Sequence, residues 1–465
     1  MSAGTRPVGA RFADLVGDAQ SLQDPAELAG YAVDGKIPSI AVRPGSIEEV
    51  GEVVKRASAE KLAIIPVGAR TKLAIGLPPR QYDVALDMTR LNRVVAYDPG
   101  DLTLSVEAGL PLSELNRVLA EHRQFLPLSV PFADRATIGG AVSSGVDSPL
   151  RQHYGTARDY IRGIEFVTGD GKIAKSGGRV VKNVTGYDLH KLMIGALGTL
   201  AVITRINFRT FPSPIGIRAF VARFDKVDAA DSMRALIARS ALAPMTMEIF
   251  SPGAADLFYG NAASRIEKNL VAPGVLTNNT WALTIGVAGT AQTLDRSESE
   301  VRSIAQQSGD TAFTALGPDQ IPGAFGRKRE FIPIALASSP GATIIKLSVL
   351  PSKIKDSLVE IESAAAASSL RSAAMARAVG IIYVALLPDS TAASDRERVV
   401  RAAARIQSRA AAAGGHAVIP WCPTEWKSSL SIWGPDPPDL PQMRGLKSVF
   451  DPQGVLSPGR FVGGL

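Results

Sequence analysis

Two glycine-containing loops carry the residue types that bind anions. The first, Pro66-Val67-Gly68-Ala69-Arg70-Thr71-Lys72, directly follows the apolar run Leu62 to Val67. Consecutive backbone N–H groups in such a turn form an anion nest, and Arg70 and Lys72 add positive charge. The second is Ala136-Thr137-Ile138-Gly139-Gly140-Ala141-Val142-Ser143-Ser144-Gly145. Its glycines let backbone come close to a ligand while Thr137, Ser143 and Ser144 supply hydroxyls. Taken singly, each loop is more often a mere turn. Both together, far apart in sequence, suit a long diphosphate ligand threaded between them. A dinucleotide fingerprint is missing, because Gly195 and Gly198 give only G-x-x-G, and Gly171-Lys172 is followed by Ile173, which excludes a P-loop.

A third stretch, residues 177–208, combines glycines at 177, 178, 186, 195 and 198 with Lys182, Asn183, Tyr187 and Asp188 before a strand pattern. These polar side chains read as bracing for the segment rather than as catalytic groups. The single cysteine, Cys422, can make neither an internal disulfide nor a metal cluster alone. Of the four histidines, His122 and His190 fall on predicted helices and read as ordinary surface or core residues. No metal site is expected. The formal charge of +7 is spread thinly, with no basic run, so nucleic-acid binding is not expected. No stretch has 18 uninterrupted apolar residues and no secretory signal is visible, so the expectation is a cytoplasmic protein without direct membrane insertion.

At 465 residues the chain is too long for one ordinary core. Residues 1–35 read as a helical lead-in. Ser46 with Glu49 forms a capping box, and Val50, Val53, Val54 and Ala57 recur at helical spacing. Strands are predicted at 83–88, 93–97 and 102–108, a helix at 112–122, a Gly/Ser-rich connection at 131–160 and a hairpin at 162–175. Pro212-Ser213-Pro214 marks a boundary. Beyond it, residues 217–250, 280–316 and 342–387 each read strand, helix, strand, followed by a helix at 391–413 and a strand at 416–421. This implies an α+β sandwich with helices on one face of a sheet. The last 30 residues read as a return segment.

The order of these elements resembles the FAD-binding domain of the vanillyl-alcohol-oxidase and p-cresol-methylhydroxylase (PCMH) type. The resemblance rests on "VRPGSIEEV", "IIPVGARTKL", "ATIGGAVSSG" with "HYGTARDYIRGIEFVTGDGKI", "GYDLHKLMIGALGTLAVIT" and "FDPQGVLSPGRF". It implies a PCMH-type FAD-binding domain of two α/β subdomains over 36–214, a substrate or cap domain over 215–430, and a C-terminal segment, 431–465, that packs on the FAD domain. Pro66, Val67, Gly68, Ala69, Arg70, Thr71, Lys72, Pro131, Thr137, Ile138, Gly139, Gly140, Ser143, Ser144, Gly145, His153, Tyr154, Gly155, Val202, Ile203 and Arg460 then hold FAD. Attachment is expected to be non-covalent, since residues 66–73 contain no histidine.

Within the family the likeness is to the E subunit of bacterial glycolate oxidase, on "GGRVVKNVTGYDLHKLMIGALGTL" and the "IWGP…MRGLKSVFDP" ending. Leu197 stands where D-subunit and D-lactate dehydrogenase relatives carry Glu, and Gly415-His416 lacks the second histidine of their metal motif. The implied activity is FAD-dependent oxidation of a 2-hydroxy acid, such as glycolate or D-lactate, by hydride transfer. Alternatives on the same scaffold are a non-catalytic FAD-binding subunit or a sugar or alditol oxidase. Expected partners are a second flavoprotein subunit and an iron–sulfur subunit, with peripheral placement at the inner membrane through that complex. Lys346 and Ser348, two residues apart on one strand face, are candidates to hold the substrate carboxylate. Arg327, Lys328 and Arg329 are expected in a loop upstream, as solvated charges. No residue is assigned as the proton acceptor.

Overall fold

The computed structural model describes residues 12–179, 187–259 and 279–465. Lys182 and Asn183 of the third glycine-containing stretch lie outside the described residues. Two compact units emerge. The first comprises Met1–Val146, Thr156–Ser213 and Asp436–Leu465; the second comprises Asp147–Gly155 and Pro214–Pro435.

In the first unit a four-stranded sheet has the order β1 (Ser21–Leu22), β2 (Ile40–Val42), β4 (Val84–Asp87), β3 (Ile64–Val67). Strands β2, β4 and β3 run parallel and are buried almost throughout, as continuous Val/Ile/Leu runs require. Helix Ile47–Glu60 covers them. Ser46 Oγ accepts from the Glu49 N–H at 3.1 Å, the first half of the capping box, while Glu49 Oε2 accepts at 2.7 Å from the N–H of Gly45, one residue before the cap. Val50, Val53, Val54 and Ala57 form its buried stripe against Ile40, Val42, Val84 and Leu86.

A second sheet of five antiparallel strands has the order β5 (Val94–Asp98), β6 (Thr103–Glu107), β10 (Ala201–Arg209), β8 (Ile161–Thr168), β9 (Ile173–Gly177). A short pair, β7 (Gln124–Phe125) and β11 (Phe211–Pro212), lies in the same unit. The 131–160 connection is not simply a loop: it contains helices Ile138–Ser144, Arg151–Tyr154 and Ala157–Tyr160. Its Ser and Gly content hid the caps at Thr137 and Thr156, which turn those residues into helix starts. The return segment contains helix Leu440–Phe450 and then pairs with β3. The Ile64 N–H donates to the Val455 carbonyl and the Ser457 N–H to the Ile64 carbonyl, each at 2.8 Å. Buried Asp451 shapes that turn by accepting from the Val455 and Leu456 N–H groups and from Lys447 Nζ.

The second unit is one eight-stranded antiparallel sheet. Its order is β15 (Ala312–Ala315), β12 (Ile217–Phe224), β14 (Trp281–Ala288), β13 (Thr246–Phe250), β17 (Arg371–Arg377), β18 (Ile381–Leu387), β16 (Thr343–Ser348), β19 (His416–Trp421). Helices Ala291–Gln307, Val227–Arg239, Ile354–Ala367 and Ala393–Ala412 pack side by side as a layer on it. Arg327, Lys328 and Arg329 are the last turn of helix Ile321–Arg329, not a loop, and Arg327 and Lys328 are buried. Cations complement the negative end of a helix, which is why this turn tolerates three of them.

Candidate functional site

In the first unit, the loop after β3 and helix Ile138–Ser144 line a small cleft that opens to solvent. Among the residues expected to hold FAD, Pro66, Val67, Gly68, Thr137, Gly139, Gly140, Ser143 and Ile203 line it. Met88, Ala108, Leu197, Gly198 and Ala201 line it too. At Gly68 a Cβ would fall 2.2 Å from Thr137 Oγ1, so only bare backbone fits between the two loops.

Donor accounting separates the two loops. The N–H groups of Ile138 and Gly139 donate to the Leu110 and Ala108 carbonyls at 3.0 and 2.7 Å, and that of Gly140 to Thr137 Oγ1 at 3.3 Å. The helix start therefore spends its donors on the protein. The N–H groups of Ala69, Arg70 and Thr71 make no backbone hydrogen bond among the described residues. Arg70 has a positive φ of 63°, the alternation that curls successive N–H groups into a nest. The first loop, then, is where an anion finds donors.

The remaining expected cofactor residues take other places. Arg70 points its guanidinium over the Tyr31 ring, 4.8 Å from the centroid. Lys72 is buried and donates to the Pro131 carbonyl at 3.1 Å, tying the loop to Pro131. Ile138 and Val202 are fully buried in core clusters. The Ser144 hydroxyl turns back to the Ala141 carbonyl, and Gly145 ends the helix at φ 60°. Arg460 is buried and donates to the Ile75 carbonyl at 2.6 Å and to the Leu73 carbonyl, bracing the chain beyond the first loop. His153, Tyr154 and Gly155 belong to the second unit. Tyr187 is exposed, whereas Asp188 pairs with Lys191. His190 is buried, its ring against Ser176 Oγ, and burial holds its pKa below the usual histidine value.

In the second unit, register places a polar row on one sheet face. Thr284 stands opposite Glu248, Glu248 opposite Arg377, Arg377 opposite Ile381, Ile381 opposite Ser348 and Ser348 opposite His416. One step along, Tyr383 stands opposite Lys346. Arg377 and Asp147 form a buried ion pair, and the Arg377 guanidinium lies 5.1 Å from the Tyr383 ring centroid. Burial alone would raise the Asp147 pKa, but Arg377, then Lys346 and Arg151, outweigh it and hold the carboxyl below its usual value. Glu248 Oε2 accepts from Lys328 Nζ at 2.7 Å and from Thr284 Oγ1 at 3.2 Å. Glu248 Oε1 and Arg377 Nε are buried without a hydrogen-bond partner. Lys346 makes no hydrogen bond and no ion pair among the described residues, although its charge depresses the pKa of His416 after burial has done so. Among the described residues no group of three or more His, Cys, Asp or Glu is arranged to hold a metal ion.

Sequence reading found Lys346 and Ser348 on this face but missed Asp147, Glu248 and Arg377. A charge closing an otherwise small and apolar strand, RSAAMAR, and a single acid inside TMEIF were the available signals.

Comparison with protein families matches residues 38–177 to the FAD binding domain and residues 214–417 to the C-terminal domain of FAD linked oxidases. The chain belongs to the FAD-linked oxidases. It is an FAD-dependent oxidoreductase, and the N–H groups of Ala69, Arg70 and Thr71, which make no backbone hydrogen bond among the described residues, fit the diphosphate of that cofactor. Glycolate oxidase subunit GlcD of Bacillus subtilis is 24% identical over 427 residues, covering 91% of this chain and 89% of that protein. Glycolate oxidase subunit GlcE of Escherichia coli is 36% identical over 164 residues, covering 35% of this chain and 46% of that protein. The expected closeness to the E subunit is therefore not supported along the oxidase's whole length, and the D subunit fits better. The crystal structure of p-cresol methylhydroxylase with substrate bound superimposes with a TM-score of 0.76 at 19% identity, covering 97% of this oxidase and 95% of that chain. The fold is thus the PCMH type. No helix among the described residues is long and apolar enough to cross a membrane.

Proposed function

We propose that this oxidase oxidises a small 2-hydroxy acid, such as glycolate or D-lactate. The observation that carries this reading is the set of unmet groups on one sheet face: Lys346 Nζ and Arg377 Nε as donors, Glu248 Oε1 as acceptor. Two cations suit a carboxylate, and a carboxylate oxygen without a donor suits a hydroxyl. Asp147 fixes Arg377 so that its Nε–H keeps one direction, and Lys328 with Thr284 fixes Glu248. Lys346 and Arg377 then orient the acid, with Ser348 further along the row, while Glu248 accepts the hydroxyl proton. FAD, when bound, supplies the two-electron acceptor. The nest at Ala69 to Thr71 is the diphosphate site of this reading, with no covalent link to the protein.

The word subunit in the names of two relatives supports a multi-subunit setting; the reading adds to it a second flavoprotein subunit and an iron–sulfur subunit that take the electrons onward, with the complex peripheral at the membrane. Anaerobic mixing of the purified yellow protein with glycolate and with D-lactate tests the reading. Bleaching of the flavin band is expected, and Glu248→Gln should slow it by about 100-fold or more. A band that stays unchanged with the isolated chain, yet bleaches once partner subunits are added, would replace this reading with that of an FAD-binding subunit that passes electrons on.

A further inference from the structure

Lys346 and Arg377, two cations on one face of the second unit's sheet, stand two strands apart, with β18 between them. Strand spacing puts their backbones about 10 Å apart, so a single small carboxylate meets both only above the middle strand. The residue of β18 at that place is Tyr383. Lys346 stands directly opposite it, with Cβ atoms about 5 Å apart. Arg377 reaches toward it from the other side, its guanidinium 5.1 Å from the ring centroid. Asp147, whose pKa burial raises and Arg377 and then Lys346 bring down, feels both cations, so the two charges act on one small region.

The row through Tyr383 carries no acid. Phe250, Met375, Tyr383, Lys346 and Val418 stand opposite one another in succession across five strands. The acids nearby are already paired, Asp147 with Arg377 and Glu248 with Lys328. Tyr383 is 2% exposed, yet its hydroxyl makes no hydrogen bond among the described residues, and neither does the Lys346 ammonium opposite it. Contact with Arg377 needs only the ring, which phenylalanine would supply as well. The added hydroxyl is costly in a buried place unless something bonds it. Two donors that face each other without bonding are satisfied together by one acceptor between them, and a carboxylate has an oxygen for each.

We propose that the Tyr383 hydroxyl binds the substrate, donating to one oxygen of its carboxylate while Lys346 holds the other. The proposal rests on the hydroxy-acid reading and adds to it a neutral carboxylate ligand between the two cations. A neutral donor strengthens the hold on the anion without burying a further charge.

The test is Tyr383→Phe, which keeps the ring beside Arg377 and removes only the hydroxyl. Oxalate, a two-carbon acid with no C–H bond to give up, is titrated by calorimetry into the flavin-loaded wild type and variant. Its Kd should rise by about tenfold or more in the variant, as expected for a hydrogen bond to a charged group. The thermal midpoint and the ratio of flavin to protein absorbance should match the wild type, because the hydroxyl has no partner within the protein. Lys346→Met should weaken oxalate by a similar factor, and in Tyr383→Phe the KM of the oxidised hydroxy acid should rise with a smaller change in kcat. An unchanged Kd in either variant, a wild type that does not bind oxalate, or a thermal midpoint that falls by several degrees in Tyr383→Phe would each overturn the proposal. If no hydroxy acid bleaches the flavin, the functional reading fails by itself, and the oxalate titration still decides whether Tyr383 and Lys346 hold a carboxylate.

Discussion

Asp147→Asn keeps the shape of the side chain and removes its charge. Arg377 is 4% exposed and Asp147 7%, so the guanidinium cannot turn to water when its partner is neutralised. Arg151, whose side chain is about one-third exposed and which contacts the same carboxylate at 3.5 Å, can turn out to solvent. The loss is therefore set by Arg377 alone. Leaving one member of a buried ion pair unpaired destabilises by about 3–5 kcal/mol. With a urea dependence of about 3 kcal/mol per molar for a unit of this size, the unfolding midpoint of the second unit should fall by about 1 to 1.7 M. Far-ultraviolet dichroism reports that transition, and flavin absorbance follows the first unit separately. The pH dependence has a defined sign. The folded carboxyl has a depressed pKa, so the pair's contribution is fully present above the ordinary aspartate value of about 4 and is lost as pH falls through the folded value. The gap between wild type and variant should thus stay constant from pH 7 to about 5 and close only in stronger acid. Asp147→Leu combined with Arg377→Met should recover most of the loss, since a matched apolar pair does not strand a charge. A midpoint for Asp147→Asn within 0.2 M of wild type (about half a kcal/mol) would refute the claim that Arg377 depends on this partner.

Gly68→Ala pushes a methyl group into Thr137, and the protein should purify with little flavin, read as the ratio of flavin to protein absorbance. Overpacking of this kind costs about 1–3 kcal/mol. Lys346→Met should raise KM for the hydroxy acid by about tenfold or more, with a smaller change in kcat, in steady-state assays of the flavin-loaded protein. Arg460→Met strips the Leu73 and Ile75 carbonyls of their shared donor, and the temperature at which flavin fluorescence appears should fall by several degrees.

The alternation of apolar residues and the capping boxes made most elements legible in the sequence. Capping at Ser46 and the period of Val50, Val53, Val54 and Ala57 gave helix Ile47–Glu60, and the hairpin turn at Gly169-Asp170-Gly171 joined β8 to β9. The row on the second unit's sheet was not legible, because it depends on register between β13, β17 and β16, which lie far apart in sequence. Lys346 and Ser348 could be placed on one face from their spacing alone; that Arg377 and Glu248 share that face could not. Helix Ile138–Ser144 escaped notice for a different reason. Two glycines and two serines are weak helix formers, and the helix stands because Ala108 and Leu110 accept its first N–H groups from another part of the chain. Leu197, noted only as a departure from relatives, proves to line the first unit's cleft with a φ of 52°, a conformation leucine rarely adopts.

The pairing of Ile64 with Leu456 has a consequence for biosynthesis. The edge of the first sheet is completed by chain made almost 400 residues after β3. While the ribosome is still translating the second unit, β3 has an open edge and the loop beyond it lacks the brace from Arg460. The second unit's strands all lie between residues 217 and 421, so it can finish folding first. A chain truncated between residues 436 and 454 is therefore expected to contain the whole second unit and a first unit with an unprotected, aggregation-prone strand edge.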